Sequence, residues 1–124
     1  MSTHDTVQEI SGVRVLVCAE AGAPLAGAAD ANDFISAAWA GEAAMVAIPV
    51  ARLGPDFLHL SSRVAGEVIQ KFVNYRIRLA IVGDIGAWTK RSGPLRDFVA
   101  ESNRGQAVWF VADLAALAAR ISDR

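Results

Sequence analysis

Two serines stand together at Ser61 and Ser62, directly ahead of Val64, Ala65, Val68, Ile69, Phe72 and Val73, whose spacing is that of one helix face. A hydroxyl in that place caps the helix by accepting from its unpaired N–H groups. The same N–H groups and the helix dipole favour a phosphate ester or an anionic ligand, so the pair is also a candidate switch. Arg63 follows directly and can pair with such an anion or remain a solvated surface arginine. A second group of residues surrounds Asp84, which ends the apolar run LAIVG. In an open parallel sheet, ligands gather outside the carboxyl ends of strands, where a carboxylate binds or acts as a base. Lys90 and Arg91 follow in the same loop, and parallel pairing brings Arg52, Asp56 and His59 to the same sheet edge. Convergence of His59, Asp84, Lys90 and Arg91 would make a small anion-binding or catalytic site. A plain cap is the simpler account of both Ser61–Ser62 and Asp84.

Other chemistries find no pattern to rest on. His4, His59 and Cys18 stand at unrelated spacings, so no metal site is expected. Neither the Gly-rich dinucleotide fingerprint nor a phosphate-binding loop is present, and no GxSxG elbow, so no cofactor is expected. The single cysteine lies in the apolar run VRVLVCA and reads as a buried, inert thiol. A net charge of −1 gives no global field to draw the chain to nucleic acid or anionic lipid. No apolar run approaches the roughly 18 residues of a membrane span, and MSTHDTVQEI lacks the order of a secretory signal. Those features make a cytoplasmic protein the expectation.

The elements that must position these residues are legible in outline. At 124 residues and 53% hydrophobic content, a single α/β domain over 1–124 is expected, with residues 1–5 a flexible N-terminus. Thr6 to Ile10 and Val13 to Ala19 read as strands joined at Ser11-Gly12 by a tight hairpin. Asp30 caps a helix that turns Phe34, Ile35, Ala38 and Trp39 inward and stops at Gly41. Met45 to Pro49 is a buried strand, VARLGPDFLHL is irregular, and the helix after Ser62 is the clearest in the chain. Leu79 to Val82 is a strand, Ser92 and Pro94 open a helix ending at Asn103 to Gly105, and Ala107 to Val111 is a strand. Asp113 caps a last helix. Arg76 and Arg78 read as a solvated strand edge, Trp109 as packing, and Trp88 as the tryptophan nearer an interface. Apolar strands alternating with helices imply parallel pairing with cover on both faces, from helices or from a partner subunit.

Three segments, PDFLHLSSRVAGEVIQKFVNYRIRLAIVGD, LRDFVAESNRG and VWFVAD, resemble a bacterial family known as DUF4180, for which no activity is known. Against that family's pattern, His59 replaces an acid and Ile85 an aromatic. The order of hairpin, then alternating helix and strand, is also similar to STAS domains of the anti-anti-sigma type. In those, an Asp-Ser-Ser-Gly signature opens the helix after the third strand and its serine is phosphorylated. LHLSSRVAGE occupies that place, with Leu60 for the acid and Arg63 for the glycine. The resemblance implies a STAS-like, non-enzymatic regulatory or binding module acting on a protein partner or by self-association as a homodimer. Its contact surface would include Ser61–Arg63 and the loop from Gly83 to Arg91. A small anionic-ligand site or minor enzyme at Asp84 and His59 is the alternative, and a structural homodimer the third.

Overall fold

The computed structural model of the chain describes residues 4–123. The hairpin forms as expected: β1 (Thr6–Ile10) pairs antiparallel with β2 (Val13–Val17), closed by Ile10 opposite Val13. Ser11 and Gly12 both have positive φ, the backbone that a two-residue hairpin loop requires to match strand twist. Thereafter β3 (Met45–Pro49), β4 (Arg78–Val82) and β5 (Val108–Val111) add in parallel, giving the order β1-β2-β3-β4-β5. The chain is therefore α/β with a mostly parallel five-stranded sheet.

The helices are α1 (Ala28–Ala40), α2 (Val64–Asn74), α3 (Gly86–Thr89), α4 (Gly93–Arg104) and α5 (Leu114–Ser122). Alternate strand residues point to opposite faces. Leu16, Val46, Ile48, Leu79, Ile81 and Val108 meet α1, α2 and α4 on one face. Val15, Met45, Ala47, Ala80 and Trp109 meet Leu117 and Ile121 of α5 on the other. Three helices thus make one layer and a single nine-residue helix the other. None of the helices is long and apolar enough to cross a membrane among the described residues.

Local chemistry explains most boundaries. Ser92 accepts from the Leu95 N–H and Asp113 from the Ala116 N–H, so both caps stand where the sequence puts them. Asp30 is instead the third residue of α1, and its carboxylate reaches back to the N–H groups of Ala26 and Gly27. Gly27 is the cap residue and has no side chain, so only that half of a capping box is made. The loop expected between Gly83 and Arg91 contains the one-turn helix α3. One short 3-10 turn, Val50–Arg52, lies within the segment expected to be irregular, and a second, Leu60–Ser62, begins at its last residue.

Four further expectations change. Trp39 is 59% exposed and Val73 44%, although helical spacing had counted both as inward. The buried seam of α1 is Ala31, Phe34, Ile35 and Ala38, and Trp39 falls on its flank. Arg78 is not merely a solvated edge residue: its guanidinium stacks 4.2 Å from the Trp109 ring centre and donates to the Gln106 carbonyl. The flexible N-terminus expected over residues 1–5 lies partly outside the described residues. Its last member, Asp5, forms an ion pair with buried Arg52 at 2.7 Å.

Candidate functional site

The serine pair occupies the 3-10 turn that delivers the chain into α2. Ser62 is engaged on both sides: its hydroxyl lies 2.6 Å from the His59 carbonyl and 2.7 Å from that of Asp56, and it accepts from the Val64 N–H. Its single proton serves the two carbonyls alternately. Ser62 therefore stitches the turn to the first residue of the helix. Ser61 is exposed, and its hydroxyl has no partner among the described residues. Arg63, the cap residue of α2, has φ 65°, in the left-handed region that costs a side-chain-bearing residue about 1 kcal/mol or more.

From Arg63 a shallow groove of about 680 Å³ runs along the outer side of α2, bordered by Ala28 and Phe98. Gly66, Glu67, Gln70, Lys71 and Asn74 line it. Lys71 also borders a second groove, of about 380 Å³, between α1 and α2, where Ile35, Trp39 and Tyr75 stand. There the Trp39 and Tyr75 rings meet edge to face, 6.0 Å between centres, and Tyr75 is 43% exposed. Exposed aromatic pairs are uncommon on surfaces that face only water and are enriched at protein contacts.

Asp84 lies elsewhere, at the carboxyl end of β4. Its Oδ1 accepts from the Gly86 N–H at 2.8 Å, fixing the entry to α3. Gly83 has φ 140°, and a Cβ there would stand 2.9 Å from the Val50 side chain. That close approach lets the chain leave the sheet. Asp84, Thr89 and Arg96 border a cleft of about 670 Å³ with Val99 and Phe110. His59, Lys90 and Arg91 are exposed and are not among its lining residues. His59 thus stands at the turn before α2, whereas Asp84 follows β4 and Lys90 and Arg91 follow α3. The strand order also never reverses, so the crevice that opens at a reversal in doubly wound sheets has no counterpart here.

On the opposite face, Cys18 borders a smaller groove of about 300 Å³ with Val17, Pro49, Val82 and Leu114. Burial, then the nearby Asp5 charge, pushes the Cys18 thiol up to about 12, with Arg52 opposing. A thiol so held is protonated and unreactive at neutral pH. No group of His, Cys, Asp and Glu able to hold a metal ion occurs among the described residues.

Sequence reading passed over two features of interest. Asp5 and Arg52 carry no signal of pairing, being far apart in sequence. Trp39 did carry one: the spacing of Ala31, Phe34, Ile35 and Ala38 completes the inward seam without it.

No curated protein and no solved structure has significant similarity to the chain. The family profile described as a domain of unknown function, DUF4180, matches residues 10–121. With nearly the whole folded unit covered by that match, the chain belongs to the DUF4180 family.

Proposed function

We propose that this protein is a non-enzymatic regulatory or binding module of STAS-like architecture, working by protein contact through the face formed by α1 and α2. The observation that carries this reading is the exposed Trp39–Tyr75 pair beside the serine-headed helix. The backbone at position 63 adds support. Its left-handed conformation is one that glycine takes freely, and glycine is the residue of the STAS signature at that place. Asp84 and Ser62 serve backbone groups, which leaves Ser61 as the hydroxyl available to a kinase.

The test is site-directed photo-crosslinking in the cells that make the protein. A photoreactive residue at Ser36, on the Trp39 side of α1, should give discrete adducts that Trp39→Ser abolishes. The same residue at Glu9, on the hairpin, should give none. Adducts equal at both sites, or indifferent to Trp39→Ser, would remove the α1–α2 face from consideration.

A further inference from the structure

Gly66 is the third residue of α2, in its first turn; it is exposed, and a Cβ added there would meet nothing within 4 Å. Glycine inside a helix costs about 0.5–1 kcal/mol relative to alanine. No neighbour within the chain requires that cost, so the missing side chain makes room for something outside it. We infer that the occupant is a second copy of this chain, its α2 packed antiparallel across the first. The inference rests on the reading of the α1–α2 face as a contact surface.

The residues of α2 are self-complementary in that arrangement. Gly66 and Val73 lie seven residues, two helical turns, apart on one flank, and Glu67 and Lys71 lie four apart on the other. A two-fold axis between Ile69 and Gln70 reverses the helix but keeps each flank facing its own counterpart. Val73, 44% exposed, then stands over the gap at Gly66 of the other copy. On the opposite flank Glu67 meets the other copy's Lys71. Each contact occurs twice, and Gln70 lies next to the axis. A parallel pair would set unlike flanks together and lose both matches. The 11 residues of α2 span only about 16 Å, so α2 alone covers less than a stable interface needs. Trp39 and Tyr75, beside Lys71 in the adjoining groove, extend the same face.

The experiment is sedimentation velocity on the full chain from about 1 μM to about 1 mM, alongside thermal melts of the dilute monomer. The wild type should pass from monomer to dimer over that range. Gly66→Ala should raise the melting temperature of the monomer and weaken the dimer about tenfold or more, because its methyl meets Val73 of the other copy. Glu67→Lys and Lys71→Glu should each weaken it, and the double exchange should restore it. A dimer untouched by Gly66→Ala, or singles that the double exchange fails to rescue, overturns the proposed pairing. A wild type monomeric throughout overturns it too. If Trp39-dependent crosslinks from Ser36 persist in that case, only the self-pairing fails. If they are also absent, the contact reading falls with it.

Discussion

Removing the carboxylate of Asp5 tests whether the start of the chain is structural. Arg52 is 4% exposed, and its guanidinium is held by four groups. Its Nε donates to the Ala23 carbonyl at 3.0 Å, and one terminal nitrogen donates to the Ala19 carbonyl at 3.1 Å and to Asp5 at 2.7 Å. The Phe34 ring lies 5.1 Å from its central carbon. Asp5 is the one counter-charge among these, and it also accepts from the Ala19 N–H. Breaking a buried pair from one side costs about 3–5 kcal/mol, because a charge is left behind without its partner. The Asp5 side chain is 30% exposed, so water replaces part of what is lost, and about 2 kcal/mol is the expectation for Asp5→Ala. For a chain of 124 residues that lowers the melting temperature by about 8 °C. Asp5→Asn keeps an acceptor and should lose about half as much. Urea denaturation of both single variants and of Asp5→Ala with Arg52→Met completes a cycle. Asp5→Ala should cost little once Arg52 is gone. A loss below about 0.5 kcal/mol, or the same loss in both backgrounds, would refute the claim that Asp5 neutralises Arg52.

Other expectations follow from single groups. The Cys18 thiol rises from 9.0 to about 12 on folding, so between those values the unfolded chain releases a proton that the folded chain keeps. The contribution is fully present below pH 9.0 and is lost as pH rises toward 12. Stability should therefore fall up to about 1.4 kcal/mol per pH unit more steeply for wild type than for Cys18→Ala, and equal slopes in denaturation curves would contradict it. Ser62→Ala should cost about 1 kcal/mol by chemical denaturation, since the hydroxyl ties two carbonyls to the helix start, whereas Ser61→Ala should stay within about 0.5 kcal/mol. Arg63→Gly should raise stability by about 0.5 kcal/mol by relieving the left-handed backbone; a decrease would show that the Arg63 side chain supports the turn.

Much of the fold was legible because it is written in local pattern. The Ser-Gly hairpin, the caps at Ser92 and Asp113, and the amphipathic run from Val64 to Phe72 each depend on residues within a few positions. The α/β class followed from alternating helices and apolar strands. What could not be read depends on contacts between distant segments. Arg52 becomes a buried hub only because the loop from Ala19 to Ala23 and the tail at Asp5 fold over it. Arg78 acquires its role because β5 brings Trp109 alongside. The candidate site was half legible. That one of the two serines meets the start of α2 was readable from spacing. That Arg63 takes the cap position while Ser62 accepts from the Val64 N–H, leaving Ser61 exposed, depends on a turn that directs one hydroxyl onto the Asp56 and His59 carbonyls.

The strand order bears on where the proposed recognition is best placed. A sheet that adds strands in one direction keeps its crossover helices on one face, and here α1, α2 and α4 lie together there. With no reversal of order, the crossover helices α1, α2 and α4 never part to opposite faces, and no crevice of the doubly wound kind opens between them. Loop residues such as Asp84 are then employed in starting the next element, as its bond to the Gly86 N–H illustrates. The same topology yields a broad helical surface, and its exposed aromatic and apolar side chains need cover that α4 and α5 do not supply. Among the described residues five large hydrophobics are exposed, and three of them, Trp39, Tyr75 and Val73, stand on or beside α1 and α2. A glycine that weakens α2 without serving its packing lies on that same surface. Fold topology and surface chemistry thus both favour the proposal of recognition on the helices, with the sheet as the frame that holds their spacing.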